Sequence, residues 1–351
     1  MVSISNDFAC SFFQKMNEQE KGQSFFISPL SAQFNLGMVA NGASGETLQE
    51  IESVLSASGS KLQSINSYFL KLMNNLPQLD SSTIFQSANS IWIHDESPIK
   101  ATFQQINQKY FLAETQNLDF SDPKSTDIIN QWTKEQRIDE NTITHSLIQD
   151  FRDTSLSLFF KGGWIFPFDP AETRQENFYP VSGKKHPVSI QLILSDADSH
   201  AFQLASLNVA MQESMDTPFL GRITVMAYES DSISCMLDLK LPSIKLDYKS
   251  NIIPTFQKMG IHDAFNANCA DFSRMTDMPA YISDSKTTFV IVAAAATVPV
   301  SVTSNRVNCS ISEIVSEITP YPFHVNRPFL LVIHENKTGL ILFMGKMMDI
   351  L

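Results

Sequence analysis

KTTFVIVAAAATVPVSVTSNR, residues 286–306, combines three patterns in one continuous stretch. Residues 289–292 form a short apolar run rich in β-branched side chains, which is typical of a buried strand. Four alanines follow at 293–296, and valine then alternates with other residues from 297 to 303, at the period of a half-buried strand. After Asn305 the chain loses apolar periodicity until Phe329.

The alanine run is compatible with a strand that moves, although these residues alone favour a static structure. Small side chains slide into a sheet with little steric clash, and alanine loses no side-chain entropy when it becomes ordered. Two static interpretations fit the same residues: the second strand of an ordinary hairpin, or one turn of helix at the alanines. The rest of the chain has to decide between them.

Composition indicates a folded, acidic protein. Of 351 residues, 43% are hydrophobic and 18% are charged, so a large core is expected, and the formal net charge is -12. This charge, without a Lys/Arg block, argues against nucleic acid or an anionic membrane as partner. No uninterrupted apolar stretch of about 18 residues predicts a membrane span. We expect a monomer without a cofactor.

The N-terminal sequence and the spacing of the cysteines indicate in which cellular compartment the protein is expected. MVSISNDFACSFF has neither the basic start nor the long apolar run of a signal peptide. Cys10, Cys235, Cys269 and Cys309 are scattered without a CxxC pair, which fits free thiols better than a disulfide framework. The expectation is a cytoplasmic protein, with export without a signal peptide left open.

Predicted helices concentrate in the first part of the chain and predicted strands in the second. Helices are expected near 3–18, after Ser28-Pro29, from Ser44 or Thr47, and over 62–76, 99–110, 122–132 and 252–259. Strands are expected near 24–27, 83–93, 113–118, 155–160, 202–211, 223–228, 234–241, 286–292, 329–334 and 340–345. Without a Gly/Ser-rich linker between the two parts, this is an α+β pattern in one domain over 1–351.

Motifs for catalysis are missing. The sequence contains no Gly-x-Ser-x-Gly, no His-Glu-x-x-His and no Walker loop, and its seven histidines are isolated. GASGET at 42–47 joins two predicted helices, so a helix cap is a better interpretation than a phosphate cradle. Asp122 is likewise better explained as a cap than as part of a carboxylate cluster with Asp119 and Asp127. We expect neither an enzyme nor a metal site.

Five groups of residues resemble the serpin family of serine protease inhibitors. They run in the family's order over nearly the whole chain, which makes the resemblance specific. The segments are FFISPLSAQFNLGMVANGASGETLQEI (25–51), SANSIWI with YFLAETQNLDF (87–93, 110–120), FKGGWIFPFDP (160–170), LKLPSIKLDY with MGIHDAF and ADFSRMT (239–276), and FHVNRPFLLVIHENKTGLILFMGK (323–346).

The resemblance implies a fold with three β-sheets, about eight or nine helices and an exposed reactive-centre loop, here roughly 292–322. In inhibitory members a serine protease cleaves this loop, which inserts as a strand into the central sheet and traps the acyl-enzyme. The resemblance implies a loop hinge at Ala293, Ala294, Ala295, Ala296 and Thr297. It also implies a sheet-opening region at Trp164.

The sequence departs from the family pattern at three points, and the first of them favours an alternative, a non-inhibitory serpin that acts as a carrier, a chaperone or another binding protein. The family's acidic, Gly-Thr-containing hinge turn is shortened or absent before Ala293. The predicted strand near 155–160 is short, and Pro299 would remove one ladder hydrogen bond from a central strand.

Two positions compete for the scissile bond. Alignment of the alanines with the family's places the residue before that bond at Ser304, whereas counting a full inserting segment from Ala293 reaches Arg306. Arg306 is the only Lys or Arg between Lys286 and Arg327, so it would suit a trypsin-like protease, but a solvated loop charge explains it equally well. The candidate region is therefore Ser304, Asn305 and Arg306, with a trypsin-like or chymotrypsin-like protease as partner.

Overall fold

The structure is a computed structural model, and its description covers most of the first 135 residues and shorter stretches of the remainder. The described ranges are 1–56, 61–78, 84–135, 153–161, 188–189, 202–205, 208–209, 237–242, 245–282, 286–292, 302–307, 321–324, 328–335 and 338–348.

Within these ranges, helices dominate the first part and strands the second, as the sequence predicts. The helices are α1 (Val2–Gln19), α2 (Pro29–Ala40), α3 (Gly45–Leu55), α4 (Leu62–Asn75), α5 (Ala101–Phe111), α6 (Lys124–Glu135) and α7 (Ile253–Met259). The strands are β1 (Phe25–Ile27), β2 (Ile84–His94), β3 (Glu114–Leu118), β4 (Asp153–Lys161), β5 (Val188–Ser189), β6 (Phe202–Ala205), β7 (Asn208–Val209), β8 (Leu237–Pro242), β9 (Lys245–Asn251), β10 (Lys286–Val292), β11 (Val302–Val307), β12 (Tyr321–His324), β13 (Phe329–Glu335) and β14 (Ile341–Met347).

Helix α2 is held at its start by the predicted cap. The Ser28 hydroxyl accepts a hydrogen bond from the Ser31 backbone N–H at 3.2 Å, and Pro29 occupies the first turn. The same hydroxyl donates to the Leu342 carbonyl at 2.8 Å, which ties the helix to β14. Every residue of α2 is buried, because the helix packs against helices and strands on all sides.

The main core lies between the N-terminal helices and a sheet of order β1-β14-β13-β6. Strand β1 pairs antiparallel with β14, and β14 with β13, although β1 and β14 are separated by most of the chain. Phe26 and Phe343, on the paired strands, stack with ring centroids 5.6 Å apart. Burial of such rings, rather than helix propensity, therefore stabilises this half of the molecule.

The other described strands form two three-stranded sheets, β3-β2-β4 and β11-β8-β12, and two pairs, β10-β9 and β5-β7. Strand β2 pairs parallel with β3 and antiparallel with β4, over the full length of β4. Strand β10 pairs antiparallel with β9, and β8 lies between antiparallel β11 and parallel β12. The expectation of a short strand near 155–160 is wrong, since β4 has 9 residues and extends beyond both predicted ends.

Some sequence predictions lie outside the described residues, and some strands had no prediction. The predicted strand at 223–228 and the hinge alanines lie outside the described residues. Strands β9 and β12 were not predicted, and β11 begins only where the valine alternation ends. No helix in the described ranges is long and apolar enough to cross a bilayer. A single domain over 1–351 stays a prediction.

Candidate functional site

Strands β4 and β10 are neighbours that do not share a ladder. Some of their Cα atoms come within 8 Å of each other. Yet among the strand pairings of the described residues, β4 bonds to β2 and β10 bonds to β9, and none joins β4 to β10. We call this boundary between β4 and β10 the seam. Backbone groups that face a seam lack strand partners there, so a strand that entered it could pair on both sides.

Two described strands flank the alanine-rich segment: β10, which lines the seam, precedes it and β11 follows it. Its upstream anchor is Val292, opposite Lys245 on β9, and its downstream anchor is Val302, opposite Pro242 on β8. Paired residues lie about 5 Å apart and three residue steps span at most about 11 Å, so the anchors are within about 21 Å of each other. Fully extended, residues 293–301 could span roughly 33 Å, which is more than the distance between the two anchors.

The candidate scissile residues lie on an edge strand. Ser304, Asn305 and Arg306 belong to β11 and face Lys240, Leu239 and Asp238 of β8 in antiparallel register. The candidate hinge, Ala293 to Thr297, and the candidate sheet-opening residue Trp164 lie outside the described residues. The structure thus pairs the candidate cleavage region with β8, and Val292, the residue before the candidate hinge, with β10's partner β9.

Helix α6 covers one face of the β2–β3 pair. Trp132 of the helix meets Trp92 of β2 edge to face, with ring centroids 5.9 Å apart. Leu118, Phe120 and Ile129 complete this small cluster. Strand β2 also pairs with β4. A displacement of β4 would therefore shift β2 and change its contact with α6.

A polar network connects strand β9, the partner of β10, to the C-terminal end of helix α1. The Tyr248 hydroxyl on β9 donates to Glu20 Oε1 at 2.8 Å, and burial raises the pKa of Tyr248. Lys346 Nζ on β14 donates to Asn17 Oδ1 at 2.8 Å and to the Glu20 carbonyl at 2.9 Å. Burial lowers the pKa of Lys346 to about 8, and the Glu20 carboxylate opposes that shift.

In the described part of the chain, one group of side chains has the spacing of a metal site. Atoms of His94, Asp95 and Asp119 that could bind an ion lie within 4.8 Å of one another, at the ends of β2 and β3. The Asp119 carboxylate already accepts hydrogen bonds from Ser121, which lower its pKa. With both aspartates exposed, loop capping explains the group without a metal.

The other capping predictions have mixed outcomes. Ser44 occupies the N-cap position of α3, but its side chain makes no capping bond; Thr47 instead accepts from the Asp271 N–H at 3.0 Å. Asp122 accepts from the Lys124 N–H at 3.0 Å at the start of α6, as predicted. Neither loop contributes to the seam.

Sequence reasoning missed the strand partners of β10 and β11, which flank the alanines. Strand β9 alternates weakly, and β11 contains polar residues that read as loop. The signal that could have found them is the Leu-Pro segment at 239–248, whose two halves are β8 and β9.

Comparison with known proteins identifies the family. A family model described as "Serpin (serine protease inhibitor)" matches residues 3–215 and 203–350. The chain is 24% identical over 378 residues to an uncharacterized serpin-like protein of Methanosarcina acetivorans, covering 99% of this chain and 87% of that one. It is 24% identical over 287 residues to serine protease inhibitor 42Dd of Drosophila melanogaster, covering 76% of each.

Solved structures agree on the fold. Human thyroxine-binding globulin, solved in complex with its ligand, superposes with a TM-score of 0.73 at 20% identity, over 100% of this chain and 98% of that chain. The described helices and strands accordingly form an α+β fold of the same kind. With the family model matched along nearly the full length, this chain is a member of the serpin family.

Proposed function

We propose that this protein inhibits a serine protease as a suicide substrate, with residues from Ala293 onward entering the seam as a new strand. The observation that carries the proposal is the pairing pattern: β4 and β10 lie side by side without a shared ladder, and β10 leads directly into the alanines. A relative that bears the name of a serine protease inhibitor supports the same function.

Backbone hydrogen bonds would supply the free energy that favours insertion of the cleaved segment. A strand inserted at the seam would pair with β4 on one side and β10 on the other, and each backbone hydrogen bond contributes about 1 kcal/mol net. Strand β4 has 9 residues and is therefore about 30 Å long. Residues 293–301 match this length, and their small side chains reduce the steric cost of entry.

Cleavage is what would allow the insertion. While both ends are anchored, on β9 and on β8, the segment cannot lie fully extended beside β4. A protease serine that attacks the candidate bond near 304–306 forms an ester with the loop and breaks the peptide bond. The upstream part of the loop is then free to leave β8 with the protease attached.

The direct test is incubation with trypsin and with chymotrypsin, followed by denaturing electrophoresis. The expected result is an SDS-resistant complex with one of the two proteases, and N-terminal sequencing of the released fragment would then identify the scissile bond. Clean cleavage of the loop without a complex would contradict inhibition.

Ala295→Pro tests the moving segment. Proline removes a backbone donor from the middle of the inserted strand, so the variant should still be cleaved but should form at least tenfold less complex. Ala295→Ser is the matched control, since it keeps the N–H and adds one small hydroxyl. If Ala295→Pro forms complex as the wild type does, the inserted segment has been misassigned.

A second candidate function is that of a non-inhibitory carrier or binding protein. The shortened or absent hinge turn between Val292 and Ala293 favours it, and the structurally similar thyroxine-binding globulin is named for the ligand that it binds. This candidate predicts cleavage without any complex, together with no gain of thermal stability after cleavage.

A further inference from the structure

A groove of about 510 Å³ lies between helices α4 and α5, away from the seam. Residues from the first turns of α4 and from α5 line it, together with Asn41 and Arg274. Its volume falls within the range of small-molecule sites, about 300–1,000 Å³.

The charge of the groove is opposite to that of the protein. Its charged lining residues are Lys109 and Arg274, and none of the described residues that line it is acidic, although the chain carries a net charge of -12. Within the described ranges neither cation is in a salt bridge. Asp271 lies near Arg274, but hydrogen bonds from Ser273 are the main reason that its pKa is lowered, so its carboxylate is already engaged.

The remaining lining is mixed: the polar side chains of Gln63, Thr102 and Gln105 alternate with apolar ones along the two helices, and two buried amides lie at its base. Leu62, Ile106 and the partly buried Tyr110 supply the apolar surface, and Lys109 Nζ lies 4.9 Å from the centroid of the Tyr110 ring. At the base, the buried amides of Asn41 and Asn66 bond to each other in both directions, at 3.2 and 2.7 Å. This reciprocal pair holds the base of the groove rigid, because each amide fixes the orientation of the other.

We propose that this groove binds a small amphipathic carboxylate, with its apolar body between Leu62, Ile106 and Tyr110 and its carboxylate at Lys109 and Arg274. Guanidinium groups bind carboxylates with two parallel hydrogen bonds, and the ammonium adds a point charge. The inference goes beyond protease inhibition and does not depend on it, since none of these residues lies on β4, β8, β9, β10 or β11.

The test is isothermal titration of the full chain with 1-naphthoate as probe and 1-naphthalenemethanol as its uncharged counterpart. We expect one saturable naphthoate site and at least tenfold weaker binding of the alcohol. Lys109→Gln and Arg274→Gln should each weaken naphthoate binding about fivefold to tenfold. Lys71→Gln, an exposed lysine of α4 outside the groove, is the control and should leave binding unchanged.

A second variant tests the cavity itself. Ile106→Trp should fill the groove and reduce binding at least tenfold, and an unchanged thermal melt would show that the variant is folded. The proposal is overturned if naphthoate does not saturate, if the alcohol binds equally well, or if Lys71→Gln weakens binding as much as the two groove variants do.

Discussion

At the scale of single residues, Lys346 shows how burial affects stability. Its pKa is lowered to about 8 in the folded protein, whereas an unfolded lysine titrates near 10.5. Between these values the unfolded state binds more protons, so the free energy of unfolding should rise with pH. From pH 7.5 to 9.5 we expect a gain of about 1 kcal/mol relative to Lys346→Met, a fraction of the full shift because solvent screens part of it.

Urea unfolding at each pH measures this difference, and the series stops at pH 9.5 to stay below the titration of unfolded tyrosines. Lys71→Met serves as the control on an exposed lysine and should run parallel to the wild type. If Lys346→Met also runs parallel to the wild type, burial does not desolvate the Lys346 ammonium in the folded protein.

At the scale of elements, the decisive contact is between β11 and β8. Insertion at the seam requires β11 to leave β8, so a cross-link between them should prevent trapping. Thr303 faces Leu241, and paired Cα atoms about 4.5–5.5 Å apart suit a disulfide. We expect oxidised Thr303→Cys/Leu241→Cys, made with Cys235 and Cys309 replaced by serine, to form at least tenfold less SDS-resistant complex.

Reduction of the same sample should restore the complex, which makes each preparation its own control. The single variant Thr303→Cys should be insensitive to oxidation. Full complex formation by the oxidised double variant would mean that the inserting strand does not need to separate from β8.

At the scale of the whole molecule, the proposed mechanism predicts that cleavage stabilises the fold. A strand that gains on the order of ten backbone hydrogen bonds should raise the melting temperature by about 10 °C or more. Scanning calorimetry of intact and loop-cleaved protein measures this, and cleaved Ala295→Pro should gain much less. Equal melting temperatures for intact and cleaved wild type would favour the carrier function.

Much of the fold could be predicted because its signals are local. The cap at Ser28, the proline after it and the periodicity of Phe8, Phe12 and Met16 fix helix boundaries through contacts within a few residues. The order of the family's segments then indicated the family, and the family model confirmed it.

The site depends on partners that no local pattern encodes. That β10 pairs with β9 but not with β4, that Ser304 to Arg306 lie against β8, and that Lys109 and Arg274 share a groove follow from contacts between residues far apart in sequence. The sequence by itself determined the α+β elements, the family and the small side chains of the alanine segment. Only the tertiary structure decided which strands hold the residues on either side of that segment, and that the neighbouring strands β4 and β10 share no ladder, because backbone pairing between distant strands depends on how the whole chain packs.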